Sequence, residues 1–411
     1  MHRFLAALLF LCLFAHHLVS QQKYYTHPLV ENIKTVQVCR NGDSFLPPVI
    51  SLHSSDAVVL KFDNLHMDET RLRYKLTHCD AHWNPSVLSE IEYLNGFNDQ
   101  LIENFRFSEN TSVPYIHYAI EFPNTRLQMK LSGNYAVEVY TEDNPEKILL
   151  QACFSVVDPL VDIRGEVSGN TDIDIHKAHQ QLRFEVLLKT LALQNANDEI
   201  QVTIRQNNRV DNELAAIKPT FIFPEKLVFE HQKEFIFEGG NEYRRFETVN
   251  KESNGLNVQK TYYNRPYFNA VLLTDESRSD PTKPYDKDQN GRFFIRNSNA
   301  LDSDIEADYF MTHFTFNNTQ GLSQVLLSGD FTYSNPIVGE SKENPLIRFC
   351  VLLKQGMYNY QYVTSDGNKL TTQFTEGNYF NTENEYSIMV YHRLPGSRYD
   401  KLVGYTILRP Q

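Results

Sequence analysis

The sequence predicts a mainly β protein made of tandem antiparallel β-sandwich domains of the immunoglobulin-like or E-set-like kind. Aromatic residues make up 12% of the chain, with 27 Phe and 23 Tyr. They alternate with polar residues in short runs, the period-two pattern of strands, as in 57–62, 135–140, 183–188 and 199–204. Turn signals such as Asn41-Gly42 and Asn290-Gly291 separate these runs, and helical periodicity is scarce. Many short strands between tight turns favour sandwiches.

The N-terminus predicts a secretory signal peptide over residues 1–20. Arg3 precedes an apolar run from Phe4 to Ala15, which is shorter than the roughly 20 residues that a membrane-spanning helix needs. Ser20 is a small residue suited to cleavage before Gln21. A lipoprotein alternative through Cys12 is disfavoured, because Leu11 stands where a small residue is expected. We therefore expect a soluble, exported mature chain.

Two composition changes predict three domains after the signal peptide. Pro159 follows the strand-like run 152–157 and closes a first domain over 21–158. A stretch rich in Ser, Asn and Asp at 297–304 precedes a long strand-like run at 307–316. This predicts a middle β domain over 159–300 and a C-terminal immunoglobulin-like sandwich over 301–411.

The charge balance disfavours nucleic acid and anionic membranes as partners. The chain has 51 acidic and 39 basic residues, a formal net charge of -12. Loss of residues 1–20 removes only Arg3 among the charged residues, which gives -13. Such a surface repels phosphate backbones, and no polybasic cluster is present in the sequence.

Four cysteines remain after the signal peptide: Cys39, Cys79, Cys153 and Cys350. None is spaced as C-x-x-C, so the sequence supports neither a zinc knuckle nor a thioredoxin-like site. Four cysteines in an oxidising compartment allow three pairings. Disulfides and buried free thiols both stay open as alternatives.

Asp172, Asp174 and His176 are spaced so that a strand would place all three on one face, with His179 close by. Carboxylates and imidazoles can bind zinc or another divalent ion. A solvated strand face of an acidic protein explains the same pattern and is favoured.

Asp286, Asp288 and Asn290, followed by Gly291, match the opening of a calcium loop, D-x-D-x-N-G. The closing position holds Asn297 instead of Glu, and the run after the glycine resembles a strand. A hairpin turn is therefore favoured over calcium, and the sequence predicts no metal and no cofactor.

His78 beside Cys79 suggests a nucleophile and its base, but no thiol-protease signature surrounds the pair. The sequence also lacks the G-x-S-x-G, H-E-x-x-H, P-loop and dinucleotide-binding motifs. These observations favour a binding protein over an enzyme.

Several segments, in order over nearly the whole mature chain, resemble the plug protein family of the type IX secretion system. They include YKLTHCDAHWNPS at 74–86, EYLNGF at 92–97, GGNEYRRF at 239–246 and GSRYDKLVGY at 396–405. The resemblance implies a periplasmic protein of Bacteroidota-type bacteria. It would cap the periplasmic mouth of a large outer-membrane β-barrel translocon subunit by reversible docking, be peripheral to the membrane through that partner, and be a monomer when free. It carries over no catalytic residues.

A plug needs contact patches, and arginine and tyrosine are enriched in protein interfaces. Arg244, Arg245, Arg398 and Tyr399 lie in turn-flanked segments and are the predicted contacts. Structural salt links and sandwich corners are the favoured alternative for these four residues.

Two other functions stay open at this point. Residues 327–331 together with Tyr358, Tyr360 and Tyr362 resemble a glycogen-binding type of immunoglobulin-like module. This suggests a carbohydrate-binding protein of the periplasm or cell surface, with the three tyrosines as an exposed platform. A hydrolase with a spatially assembled carboxylate pair is the third alternative.

Overall fold

The computed structural model describes residues 23–67, 71–279, 287–365, 367 and 369–410. Strands account for 49% of the structure and helices for 5%, which confirms the mainly β class and the tandem sandwiches. The predicted signal peptide, with Cys12, lies outside the described residues. Within the described residues, no helix has the length and apolar character needed to cross a membrane.

The first sandwich spans β1 to β12: β1 His27–Pro28, β2 Ile33–Arg40, β3 Val49–Ser51, β4 Val58–Asn64, β5 Leu72–Cys79, β6 Leu94–Gly96, β7 Gln100–Leu101, β8 Phe105–Phe107, β9 Ile116–Phe122, β10 Leu127–Met129, β11 Gly133–Thr141 and β12 Asn144–Val157. A helical turn, Glu90–Tyr93, precedes β6. One sheet has the order β1-β12-β11-β5-β7, with β3 parallel to β12, and the other has the order β2-β4-β9-β8. Phe62, Tyr118, Tyr135 and Phe154 fill the core between them.

The middle sandwich begins with β13 Asp162–Ser168, β14 His179–Leu187, β15 Ile200–Gln206, β16 Leu214–Ile217, β17 Phe221–Ile222, β18 Lys226–Phe229 and β19 Ile236–Glu238. It also holds a helical turn at Ala196–Glu199 and a 3-10 turn at Lys233–Phe235.

The third sandwich uses β20 Arg244–Glu247, β21 Val258–Asn264, β22 Tyr267–Leu272, β23 Phe293–Ile295, β24 Tyr309–Asn317, β25 Leu326–Ser328, β26 Ile337–Val338, β27 Glu340–Glu343, β28 Leu346–Lys354, β29 Gly356–Ser365 and β30 Leu370–Thr371. Short turns lie at Ser303–Glu306 and Asp330–Thr332. Its sheets have the orders β20-β29-β25-β26 and β21-β22-β24-β28-β27, and β23 and β30 also pair with β29.

The last strands, β31 Tyr386–His392 and β32 Lys401–Leu408, return to the middle sandwich. They complete a sheet of order β16-β15-β31-β32, which faces the sheet β13-β14-β18-β17. Tyr386, Ile388, Val390 and Val403 are buried in the same core as Ile200. The third sandwich is therefore inserted in sequence between β19 and β31.

The predicted second and third domains, 159–300 and 301–411, do not match the sheets of the structure. The boundary at 300 falls inside the third sandwich, because β22 and β24 on either side of it are paired neighbours. The sheets and cores support 23–158 for the first domain, about 159–240 with 380–410 for the second, and about 241–379 for the third.

A buried ionic cluster joins the first and third sandwiches. Lys354 Nζ lies 2.6 Å from Asp63 Oδ2, and His117 Nδ1 lies 2.7 Å from Asp63 Oδ1. Tyr309 donates its hydroxyl to the same carboxylate over 2.7 Å. Lys354 also sits 4.1 Å from the ring centroid of Tyr115. These contacts hold the two sandwiches in a fixed relative position.

The four cysteines are free thiols in the described structure. Cys39 and Cys79 are buried, Cys153 is half-buried and Cys350 is exposed. The sequence left both disulfides and free thiols open, and the structure has free thiols.

Candidate docking and binding sites

The His78–Cys79 pair lies inside the first sandwich and has the wrong protonation properties for nucleophilic catalysis. Burial lowers the pKa of His78 to about 4 and raises the pKa of the Cys79 thiol well above its usual value. The thiol is therefore protonated and the imidazole neutral at physiological pH. Both side chains are buried in the interior of the first sandwich.

The loop after Cys79 connects the first and middle sandwiches. Asp80 Oδ1 accepts the backbone N–H groups of His82 and Asn84 at 2.8 and 2.9 Å. This turn sets Trp83 at φ 66° and buries it, with the Arg205 guanidinium 5.9 Å from its ring. Trp83 thus packs at the junction between the two sandwiches.

A second contact from this loop reaches the last hairpin. Ala81 donates its N–H to Asp400 Oδ2 at 2.9 Å, and Asp400 in turn pairs with Arg393 at 2.6 and 2.9 Å. Residues 80–83, part of one segment of the family resemblance, therefore form an inter-domain joint.

The predicted strand face at Asp172, Asp174 and His176 is wrong, because residues 170–178 form turns and bends between β13 and β14. Asp174 pairs with His179 at 2.7 Å, whereas Asp172 pairs with His231 at 3.1 Å. His176 packs on Phe380 with ring centroids 4.8 Å apart. The described residues contain no group of three or more His, Cys, Asp or Glu that could hold a metal.

The calcium-loop candidate has one member, Asp286, outside the described residues. Asp288 accepts the backbone N–H groups of Asn290, at 3.0 Å, and Tyr243. Burial and the neighbouring Asp288 raise the pKa of Glu242 to about 7, and burial also raises the pKa of Asp288. Asn290 and Gly291 have φ values of 53° and 89°, as a tight turn requires. A tight turn is thus present at Asn290 and Gly291, and calcium stays the less favoured alternative.

The tyrosines proposed as an exposed sugar platform lie in the core of the third sandwich. Tyr358, Tyr360 and Tyr362 are each at most 2% exposed. Tyr358 stacks on Phe246 with centroids 5.2 Å apart, and Tyr362 packs against Phe316 at 4.7 Å. The platform prediction is therefore wrong for these three residues.

Of the predicted contact residues, Arg244 belongs to the interior. Its Nε lies 3.0 Å from Glu376 and its Nη1 lies 2.7 Å from Asp275, and the side chain is buried. The adjacent Arg245 is half-buried on the other side of β20.

Arg398 and Tyr399 lie on the loop between β31 and β32. Arg398 is exposed and pairs with Glu92 of the first sandwich. Tyr399 is half-buried and packs edge-on against His78, with ring centroids 5.6 Å apart. As contacts with a partner, both residues remain predictions.

Beside Arg398, the first sandwich exposes three large apolar side chains that sequence reasoning missed. Val87, Ile91 and Phe97 are 73%, 81% and 86% exposed. Ile91 lies within the turn Glu90–Tyr93, and Val87 and Phe97 lie on either side of it in the sequence. Asn98 also donates a hydrogen bond to Glu90 at 2.8 Å and closes the segment on itself. We call these three residues the apolar ridge. Contiguous patches of exposed apolar groups mark interaction surfaces.

A cavity of about 200 Å³ lies where the three sandwiches meet. We call it the central cavity. Each sandwich contributes to its wall, for example through Gln37, Arg205 and Asp330. No local sequence pattern predicts this cavity, since the residues of its wall are distant from one another in the chain.

The structure is that of a multi-domain β protein built from three packed sandwiches. Residues 33–158 match the family model of the type 9 secretion system plug protein first domain. The structure is similar to the crystal structure, at 2.30 Å resolution, of a hypothetical protein from Parabacteroides merdae ATCC 43184, with 40% sequence identity and a TM-score of 0.92. The match covers 95% of this chain and 100% of that one. No curated protein matches the chain.

The chain therefore contains, at residues 33–158, the first domain of the type IX secretion system plug protein family. This domain connects the chain to type IX secretion and implies contact with a component of that system.

Proposed function

We propose that this protein is a periplasmic plug of the type IX translocon, which seals the periplasmic mouth of the large outer-membrane β-barrel by reversible protein–protein docking. The match of residues 33–158 to the plug family model carries the proposal. The three sandwiches, fixed to one another by buried contacts, supply a rigid body that can obstruct an opening without any catalytic step.

The apolar ridge is the proposed docking surface, and the translocon barrel is its occupant. Val87, Ile91 and Phe97 lie within the segment that matches the family model. Complete burial of one such side chain contributes about 1.5–3 kcal/mol. Arg398 and Tyr399 would add polar and aromatic contacts at the edge, a common arrangement at interfaces.

The test is a pull-down of the tagged mature protein from solubilised outer membranes of its host, followed by mass spectrometry. We expect recovery of a single very large β-barrel protein. Replacing the ridge by Val87→Ser, Ile91→Ser and Phe97→Ser together should lower that recovery at least about tenfold, because the three side chains lose their apolar contacts with the partner.

The matched control is Leu301→Ser, which changes a fully exposed leucine of the third sandwich. It should leave recovery unchanged, and unchanged thermal unfolding should show that both variants are folded. If no barrel is recovered under conditions that keep known barrel complexes intact, the proposed plug function is refuted. Equal recovery by the ridge variant would place docking on another surface.

A further inference from the structure

The central cavity is built from all three sandwiches, and direct hydrogen bonds join the sandwiches along its wall. Gln37 of the first sandwich donates to the Phe293 carbonyl of the third at 3.0 Å. The Val36 N–H donates to the Tyr333 hydroxyl at 2.9 Å. Across the N-terminal side, Lys23 pairs with Glu213 of the middle sandwich at 2.7 Å. The cavity is thus preformed and does not depend on loose packing between domains.

The volume of about 200 Å³ limits the size of an occupant. A cavity of about 150 Å³ accepts benzene. The central cavity therefore has room for one substituted six-membered ring.

The charges along the wall are almost all neutralised by the protein itself. Arg205 binds Glu213 at 2.6 Å, and Lys23 shares the same carboxylate. Arg209 pairs with Asp211 at 3.0 Å, and Arg292 pairs with Glu385 at 2.6 Å. An anionic ligand would have to compete with one of these pairs or leave its own charge unpaired, which costs free energy in a partly buried site.

Asp330 is the exception among these charged groups. Its carboxylate makes no hydrogen bond or ion pair with another described residue, although it lines the cavity. Burial raises the pKa of Asp330 to about 6, and the charge of Arg292 opposes that rise. Asp330 is half-buried, and a ligand hydroxyl would satisfy its carboxyl group in either protonation state.

Aromatic residues complete the wall of the cavity. They are Trp83, Tyr24, Tyr25, Phe293 and Tyr333. Such rings pack against the C–H face of a saturated ring, and the neighbouring polar groups fix its hydroxyls.

We propose that the central cavity binds a neutral, polyhydroxylated small molecule of the size of one monosaccharide. The site is independent of the apolar ridge and of the buried tyrosines of the third sandwich. Because all three sandwiches form its wall, a bound ligand would also strengthen the contacts among them.

The chain provides its own reporter, because Trp83 is its only tryptophan and lines the cavity. The mature protein would be titrated with a panel of neutral monosaccharides while tryptophan emission is followed. Glucuronic acid serves as the charged counterpart, because its carboxylate would be repelled by Asp330. We expect at least one neutral sugar to change the emission saturably and to raise the unfolding temperature, and glucuronic acid to bind at least about tenfold more weakly.

Two variants connect binding to the cavity. Asp330→Asn removes the unpaired carboxylate and should weaken binding at least about tenfold. Ser387→Phe, in the cavity wall, should abolish binding by filling the space. Asp198→Asn, on an exposed helical turn, is the control and should bind as the parent does.

Absence of binding by every neutral sugar at millimolar concentration, with a folded parent protein, would overturn the proposal. Tighter binding of the charged counterpart would overturn the ligand class, and parent-like binding by folded Asp330→Asn and Ser387→Phe would overturn the site. None of these results affects the barrel pull-down, so either proposal can fail while the other holds.

Discussion

At the residue scale, Lys354 shows how the first and third sandwiches are joined. Its side chain is 1% exposed and that of Asp63 is 0% exposed, with 2.6 Å between the charged atoms. Burial lowers the pKa of Lys354, and the charge of Asp63 opposes that change. For Asp63, burial favours the neutral acid, but Lys354 and His117 outweigh it and lower the pKa.

Lys354→Met should therefore destabilise the protein strongly. It leaves the Asp63 carboxylate buried without its cationic partner, a change that typically costs about 3–5 kcal/mol. Denaturant unfolding followed by circular dichroism measures the loss. Lys287→Met is the control, since the Lys287 side chain is 77% exposed and its contact with Glu383 is 4.0 Å long. A Lys354→Met protein as stable as the control would show that the cluster contributes nothing to the joint.

At the element scale, alternation in the sequence predicted β29 but not which side of it is covered. Tyr358, Tyr360 and Tyr362 do share one face, as period two requires. That face is buried because the sheet containing β24 and β28 packs against it, with Phe314, Phe316 and Phe349 as contacts. Packing between sheets depends on segments distant in sequence, and one strand does not encode it.

The dependence of packing on distant segments also explains why the sequence predicted Arg244 as a contact residue at the surface. An arginine between turns is usually at the surface, and its carboxylate partners, Asp275 and Glu376, follow it by 31 and 132 residues. The apolar ridge was missed for the opposite reason. Its apolar residues have the composition of a core segment, and only the fold shows that nothing in the described part of the chain covers them.

Glu376 links the segment after β30 to β29 and makes this element sensitive to acid. It accepts the Tyr362 N–H at 2.8 Å and pairs with Arg244 and Arg278 at 3.0 and 2.7 Å. Burial raises the pKa of Glu376, but the two arginines outweigh this effect and lower it to about 2. The ionised form therefore stabilises the fold above pH 4.5, and this contribution is lost as the pH falls from 4.5 towards 2.

Glu376→Gln should lower the free energy of unfolding by about 3 kcal/mol at neutral pH. The difference from the parent should shrink as the pH falls below 4.5, because the parent also loses its charge there. Urea unfolding over this pH range provides the measurement, with the exposed Glu166→Gln as control. If the difference in unfolding free energy between the parent and Glu376→Gln were independent of pH, the ion pairs of Glu376 would not be its cause.

At the scale of the whole molecule, the chain order of the sandwiches differs from the linear order that the sequence predicts. Pro159 does mark the end of the first sandwich, because β12 ends at Val157 and β13 starts a new sheet at Asp162. The composition change near residue 300 marks only a turn within the third sandwich. An insertion leaves no local signal, since it is defined by the pairing of β15 with β31, about 180 residues later.

This topology predicts that the middle sandwich cannot persist without the C-terminal hairpin. A chain ending at residue 380 lacks β31 and β32, so Ile200, Val202 and Ile204 of β15 lose both a paired strand and their core neighbours Tyr386, Ile388 and Val390. Hydrogen exchange should then accelerate at least about 100-fold in residues 200–206. In β11, whose core contains no residue of the hairpin, exchange should stay slow. A chain ending at residue 408 keeps both strands and should exchange like the full protein. Continued protection of 200–206 in the shorter chain would show that the middle sandwich folds from residues 159–240 alone and that the hairpin is an accessory.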